Sequence, residues 1–378
     1  MRKLKAGMIG GGGEGAFFGR VHEKAICLDG TRELVAGTLR SSAEGSMAAA
    51  EEWGIQGYPD HQAMIDDARS GKLELDYIVI ATPNNMHFEQ ARACVEAGIP
   101  VLCEKPMTFT VEESEKLAAL VRVHDVPFVV AHTYTGHPML MMAREMVRSG
   151  EIGEVRKVIS WYYQGWLASA LEKDGQRQAS WRTDPSTTGI SNCGGDIGVH
   201  AFISATWPTC QPVKRLSARL NSFVEGRVLD DDFNVTAELS NGGTALIHAT
   251  QIAVGFRNDN GIQIFGSEGS LEWRQERAET LLVRRGAHDE VYWIGAGCDF
   301  LPDSVASYLR VPPGHHEDFF PALANLHCTL ERQIRRKNGE EVPEPYDHPG
   351  VDEGVAGMQF IRAAVESSTA SGAWVDMP

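Results

Sequence analysis

Few residues of this chain are placed to do chemistry. Lys105 stands in Glu104-Lys105-Pro106, directly after the apolar run 99–103, so an expected strand carries it at its carboxyl end. Most lysines are solvated surface charges, and this placement is a different case. Asp196 and His200 follow Gly194 and Gly195 on a segment, 195–207, of helical character. Four residues apart, both project from one helix face. Histidine's ordinary pKa near neutrality suits it to take up and return a proton. The same pair would also serve as a surface helix contact or as half of a metal site. No third ligand sits at a metal-like spacing nearby, and His315-His316-Glu317 could add ligands only from afar, so no metal is expected.

The third chemical feature is the run Gly10-Gly11-Gly12-Gly13-Glu14-Gly15-Ala16, which ends a short apolar stretch beginning four residues from the N-terminus. A segment able to wind as a helix, 17–28, follows. Strand, glycine turn and helix open a dinucleotide-binding βαβ unit. Gly10, Gly12 and Gly15 satisfy G-x-G-x-x-G, while Gly11, Gly13 and Ala16 satisfy the variant ending in alanine, so two registers are open. In either, residues without a Cβ admit a pyrophosphate to the backbone, and the helix N-terminus presents free N–H groups to the anion.

The elements that position these residues follow in order. Residues 33–39 read as a second strand. Where units that bind NAD carry an acidic residue, this chain has Leu39-Arg40-Ser41-Ser42. A guanidinium and two hydroxyls suit a 2′-phosphate better than a bare 2′-hydroxyl, which favours NADP over NAD, although an ordinary solvated turn has the same composition. The run 76–81 is apolar enough for a central parallel strand and ends in Thr82-Pro83-Asn84-Asn85-Met86-His87, at the sheet edge where open α/β folds bind ligands. Asn84 or Asn85 is expected to cap a helix at 86–97. A helix at 111–124 and a strand at 126–131 complete a Rossmann-like, doubly wound parallel sheet over residues 1–132. From 133 to 378 an α+β domain with a large, mostly antiparallel open sheet is expected. Its strands are 154–163, 213–224, 232–240, 243–254, 260–266 and 270–274, and helices at 315–337 and 351–368 and a final short extended piece close the chain, the last helix able to pack back on the first domain.

Length and composition agree with this division. The 378 residues exceed one ordinary core. A net charge of −16 argues against nucleic acid and anionic membranes as partners. Nothing reaches the roughly 18 consecutive apolar residues of a membrane span. Glycines interrupt the stretch after the basic N-terminus, which is therefore not expected to be a signal peptide. Seven scattered cysteines without C-x-x-C are most simply reduced thiols in a cytoplasm.

The glycine turn, Ala81-Thr82-Pro83-Asn84 with His87, Glu104-Lys105-Pro106, and Gly194-Gly195-Asp196-Ile197-Gly198-Val199-His200 together resemble the Gfo/Idh/MocA family, the relatives of glucose–fructose oxidoreductase and inositol dehydrogenase. The resemblance covers nearly the whole chain. It implies hydride transfer between a nicotinamide cofactor, NADP or NAD, and a secondary alcohol of a sugar, glycoside or cyclitol. It places Lys105 beside the nicotinamide and the reacting hydroxyl, gives His200 the role of general base, and lets Asp196 orient that imidazole or hold a neighbouring hydroxyl. Thr82, Pro83, Asn84, His87 and Glu104 would line the cofactor with the glycine turn. Tyr134, Gln164, Trp166, Trp181, Arg182 and His316 are candidate substrate contacts, since tryptophan faces stack on sugar C–H surfaces while Arg and Gln bind hydroxyls; core packing would explain the tryptophans as well. The open sheet face implies a homodimer or homotetramer. Two rival readings share the residues: redox-assisted glycoside cleavage with a transiently reduced cofactor, and a dinucleotide-binding regulator without chemistry.

Overall fold

The apolar run at the N-terminus forms strand β1 (Leu4–Gly10), and helix α1 (Phe17–Cys27) follows the glycine turn. The computed structural model describes residues 1–13 and 17–378. Alternation then continues through β2 (Arg32–Thr38), α2 (Ala43–Trp53), β3 (Gln56–Gly57), α3 (His61–Arg69), β4 (Tyr77–Ala81), α4 (His87–Glu96), β5 (Val101–Cys103), α5 (Val111–His124) and β6 (Phe128–Val130). All six strands are parallel, in the order β3-β2-β1-β4-β5-β6. This is the doubly wound order whose reversal lies between β1 and β4, and ligands bind outside the carboxyl ends at that point.

Burial explains why β4 is central. Tyr77 and Val79 face one core with Leu4, Ala6, Met8, Val21 and Ile26, while Ile78 and Ile80 face the other with Val101, Ala91, Cys94 and Leu117. A strand covered on both faces has no polar side, hence its continuous apolar run. Local signals fix the helix ends. Asp60 accepts from the Ala63 amide at the start of α3, and Thr110 and Glu113 form a reciprocal capping box on α5.

The second half contains α6 (Pro138–Arg148), β7 (Val155–Tyr163), α7 (Arg177–Arg182), α8 (Pro185–Thr188), α9 (Val199–Thr206), β8 (Val213–Asn221), β9 (Asp232–Leu239), β10 (Thr244–Thr250), β11 (Asp259–Gly266), β12 (Ser270–Arg274), β13 (Thr280–Arg285), β14 (His288–Trp293), α10 (Asp303–Ala306), α11 (Phe319–Lys337), α12 (Val351–Thr369) and β15 (Val375–Asp376). Nine strands make one sheet in the order β14-β13-β12-β11-β7-β10-β9-β8-β15, antiparallel except where β7 meets β10. Phe233, Val235, Ala237 and Leu239 alternate inward along β9, as do Ala245, Ile247 and Ala249 along β10.

The chain divides into two compact units, Met1–Thr133 with Phe319–Val355, and Tyr134–Asp318 with Ala356–Pro378. The sequence division at 132 therefore differs over α11. The stripe Leu323, Leu326, Leu330 and Ile334 of that helix belongs to the same core as Leu4, Met8 and Val21, so it is part of the first unit. Other departures are local. Neither Asn84 nor Asn85 caps α4, because a 3₁₀ turn (Asn84–Met86) intervenes and Met86 takes the cap position. Residues 315–318 lie before α11, which begins at Phe319. The hairpin β13–β14 and the edge piece β3 lay outside the expected strands, whereas β15 falls in the extended piece expected at the end of the chain.

Candidate active site

In the first unit the glycine turn is held by backbone contacts that leave no room for side chains. Gly10 has φ +84°, and a Cβ there would lie 2.6 Å from both the Ala81 carbonyl oxygen and Thr82 Cγ2. A Cβ on Gly12 would lie 2.5 Å from Leu39 Cβ, and the Gly12 amide donates to the Leu39 carbonyl at 3.0 Å. Gly19, which the sequence reading passed over, brings α1 against the turn: a Cβ there would fall 2.1 Å from the Gly11 carbonyl oxygen. Such tight packing of turn, strand end and helix is what backbone approach to a pyrophosphate requires, and the residues fit a dinucleotide. Gly13 is half-buried in the same turn, whereas Gly15 and Ala16 lie outside the described residues. Arg40 donates from Nε to the Gly12 carbonyl at 2.8 Å, which sets its guanidinium beside the turn. Ser42 accepts from the Gly45 amide at 3.1 Å as the cap of α2, and Ser41 is exposed.

The carboxyl ends of β4 and β5 are clamped together by His87. Its Nδ1 and Nε2 lie 2.8 Å from the carbonyl oxygens of Pro106 and Thr82 respectively. Burial lowers its pKa, and the two carbonyls oppose that shift. The Thr82 hydroxyl donates to Gln90 at 2.7 Å, Pro83 leads into the 3₁₀ turn, and Asn84 is buried there. The Lys105–Pro106 peptide bond is cis. Glu104 is buried; its Oε2 accepts from the Lys105 main-chain amide at 3.2 Å and its Oε1 lies 3.0 Å from His22 Nε2. His132, buried nearby, is driven down to about 3 by burial, with the Lys105 charge adding to the effect.

In the second unit the expected single helix at 195–207 is a π-helical turn (Gly194–Gly198) leading into α9, with the Val199 amide donating to the Gly194 carbonyl. Such turns concentrate at functional sites. Asp196 rises from it, and its Oδ2 accepts from Arg182 Nε and from Gln251 Nε2, each at 2.9 Å. Gln251 is held in turn by Asn192, whose Nδ2 donates to its Oε1 at 2.8 Å, and the Asn192 amide donates to Asp230 at 3.0 Å. Burial raises the pKa of Asp230 to about 6 against the opposing pull of the Ser191 hydroxyl and the Gly194 and Asn192 amides.

His200 is buried with Tyr134 edge-on to its ring at 4.9 Å and Tyr162 at 5.9 Å. A polar chain runs on from these rings. The Tyr134 and Tyr162 hydroxyls lie 2.5 Å apart, Tyr162 donates to Asn258 Oδ1 at 2.7 Å, and Gln164 Nε2 donates to the same oxygen at 2.6 Å. Trp166 Nε1 then donates to Gln164 at 2.9 Å, and the Arg182 guanidinium lies 5.8 Å from the Trp166 ring and 4.2 Å from that of Trp181.

Seven expected residues of this unit therefore fall into linked sets: Asp196 with Arg182, Trp166 and Trp181, and His200 with Tyr134 and Gln164, Trp166 joining the two. His316 does not join them. It is exposed and pairs with Glu279 at 2.5 Å, because it sits in an extended stretch before α11. The sequence reading missed Tyr162, Gln251 and Asn258. Tyr162 stands two residues before Gln164, on the same side of the strand, and alternation could have singled it out; no local signal marks the other two. Among the described residues no cluster of three or more His, Cys, Asp or Glu could hold a metal ion.

Residues 4–132 match the model of an oxidoreductase family with an NAD-binding Rossmann fold, and residues 140–272 match the Gfo/Idh/MocA C-terminal domain. The chain belongs to the Gfo/Idh/MocA family of oxidoreductases. A crystal structure of an oxidoreductase from Sinorhizobium meliloti is 32% identical with a TM-score of 0.88, all of both chains being covered. An inositol dehydrogenase homologue from Azotobacter vinelandii, complexed with NADH and myo-inositol, is 26% identical with a TM-score of 0.87 over 99% of this chain and 98% of that one. The levoglucosan dehydrogenase of Pseudarthrobacter phenanthrenivorans is 27% identical over 100% of this chain and 99% of its own. The enzyme is thus an oxidoreductase built to bind a nicotinamide dinucleotide, and among its described residues no helix is long and apolar enough to cross a membrane.

Proposed function

We propose that this oxidoreductase is a dehydrogenase for a secondary alcohol of a sugar, glycoside or cyclitol, also able to reduce the matching ketone. The observation that carries the reading is the make-up of the second unit's polar network. A guanidinium, two phenols, the amide side chains of Gln164, Gln251 and Asn258 and two indole faces are linked to Asp196 or to His200, and that set recognises a ring bearing several hydroxyls. The relatives that act on inositol and levoglucosan support it.

When bound, a nicotinamide supplies the acceptor or donor of the hydride. His200 takes the hydroxyl proton on an imidazole nitrogen as the carbinol C–H bond breaks. The Lys105 ammonium donates a hydrogen bond to the same oxygen and stabilises the alkoxide character that develops there. Asp196, fixed by Arg182 and Gln251, orients the imidazole or holds a neighbouring hydroxyl. Gly10, Gly12 and Gly13, with Thr82, Pro83, Asn84 and Glu104, hold the dinucleotide. Arg40 and Ser41 favour a 2′-phosphate, hence NADP over NAD. The enzyme works as a homodimer or homotetramer through the outer sheet face, where Ile159, Leu246 and Phe265 are only partly covered.

The test is the near-ultraviolet absorbance of reduced nicotinamide on mixing the enzyme with NADP or NAD and a panel of inositols, aldoses and glycosides. A rise with one sugar class, abolished in Lys105→Ala while dinucleotide binding persists, is expected. Unchanged turnover in Lys105→Ala would sink the assignment, and no rise with any polyol would overturn the dehydrogenase reading itself.

A further inference from the structure

Behind Lys105 lies a buried chain of polar groups that the mechanism above does not use. Glu104 Oε1 is 3.0 Å from His22 Nε2, His22 Nδ1 is 3.1 Å from His327 Nε2, and His327 Nδ1 is 3.2 Å from the Tyr77 hydroxyl. His22 and His327 are wholly buried, Tyr77 is 1% exposed and Glu104 7%. The four come from α1, β4, the end of β5 and α11, so the chain ties four elements of the first unit together.

The carboxylate end determines the order of the protons along a chain of neutral rings. An ionised carboxylate only accepts, so His22 must carry its proton on Nε2. Its Nδ1 is then the acceptor for a proton on His327 Nε2. That leaves His327 Nδ1 to accept from the Tyr77 hydroxyl. The reverse order would need a protonated Glu104 at one end, with the Tyr77 hydroxyl oxygen accepting at the other. Burial pushes Tyr77 above its ordinary value, and it pushes His327 well below with the Arg32 charge adding, so both stay neutral. Every donor in the chain thus points toward Glu104, whose second oxygen accepts from the Lys105 amide.

We propose that His22, His327 and Tyr77 are positioning residues for Lys105: a one-way hydrogen-bond relay that fixes the Glu104 carboxylate and, through it, the main chain that carries the ammonium. The inference rests on the reading of Lys105 given above. Buried networks of this kind specify one arrangement when every member is satisfied, and small displacements of a positioned group cost turnover steeply.

Two measurements decide it. Nitrogen-15 NMR of histidine-labelled enzyme, which needs no turnover, should show His22 and His327 both as neutral Nε2–H tautomers, and Tyr77→Phe should shift the His327 Nδ1 resonance, which loses its donor, while the Nε2–H form persists. In steady state Tyr77→Phe and His327→Phe should lower kcat about tenfold with the dinucleotide Kd within about twofold. In a Lys105→Ala background Tyr77→Phe should change the residual rate less than about twofold, since its effect passes through Lys105. An Nδ1–H tautomer on His22, or losses that multiply fully in the double variant, would overturn the relay. If His327→Phe fails to fold, Tyr77→Phe and the spectra decide alone. Full turnover in Lys105→Ala would overturn the role of Lys105 and with it this positioning, whereas wrong tautomers beside an inactive Lys105→Ala would overturn the relay only.

Discussion

Two adjacent glycines separate packing from ligand approach. An alanine Cβ at Gly194 would stand 2.4 Å from Ser191 Oγ and 2.5 Å from the Phe233 ring, both far inside contact distance. Neither neighbour can retreat cheaply. Ser191 bridges the Gly194 amide and Asp230, and Phe233 packs in the core against Phe360 at 5.6 Å between ring centres. Overpacking of this kind costs roughly 1–3 kcal/mol. At Gly195, by contrast, no heavy atom lies within 4 Å of the added carbon although the residue is buried. Alanine there loses nothing in packing and gains up to about 1 kcal/mol from helix propensity. If the open space before Gly195 receives the sugar ring, a methyl group in it should lower kcat/KM by roughly 10- to 200-fold, the range for one misplaced methylene in a fitted site. The assay pairs thermal melting with steady-state kinetics. Gly194→Ala should drop the apparent Tm by roughly 2–4 °C for each kcal/mol lost. Gly195→Ala should hold or raise Tm while catalysis falls. A fully active Gly195→Ala would refute ligand approach at this turn, and an unshifted Gly194→Ala would refute the packing argument.

Arg40→Ala should weaken NADP about tenfold, the worth of one charge-assisted hydrogen bond, and leave NAD within about twofold; fluorescence titration that finds equal losses would mean Arg40 only braces Gly12. Asp230 binds its proton more tightly folded than unfolded, at about 6 against an ordinary 3.8, so its contribution is full at low pH and is lost as pH rises through about 6. Relative to Asp230→Asn, the native enzyme should therefore gain on the order of 3 kcal/mol in denaturant stability between pH 7 and pH 4, and a pH-independent difference would contradict the burial argument. If the enzyme associates through the outer sheet face, as proposed, arginines placed there at Leu246 and Phe265 should leave monomers in sedimentation velocity, and a native protein that already sediments as a monomer would rule the association out.

The first unit was legible because its signals are local. Each strand is a short apolar run, each turn carries glycine or a cap, and Glu104-Lys105-Pro106 sits at the end of a buried strand. The missed β14 is exposed along most of its length, from His288 to Val291, so it has no alternating pattern to read. The Asp196/His200 spacing was visible, but the π-helical turn that carries it was not, because glycines specify freedom rather than a particular turn. What supports the site was hidden by distance in sequence. Gln251 reaches Asp196 across 55 residues and His327 reaches His22 across 305, and no window of the chain contains both partners. The boundary at 132 shared this limit: α11 shows an amphipathic stripe, but a stripe does not say which core it covers.

The two units hold their charged groups by the same physical means with opposite consequences for pH. In each, an acidic group is fixed by a chain of buried neutral donors: Glu104 by His22, His327 and Tyr77, and Asp196 by Gln251 and Asn192. The first chain ends in a phenol, so it buries one negative charge, and its far end does not titrate near neutrality. The second ends in another carboxylate. The Arg182 guanidinium balances Asp196, but among the described residues no cation pairs with Asp230, which is left to amide and hydroxyl donors. Protonating Asp230 weakens its hold on the Asn192 and Gly194 amides, and Asn192 is the residue that aims Gln251 at Asp196. Above about 6 Asp230 carries its charge without a paired cation, and below it the proton that burial favours is in place, so the pH-sensitive point of this chain lies three hydrogen bonds from Asp196, in a residue to which the mechanism gives no role.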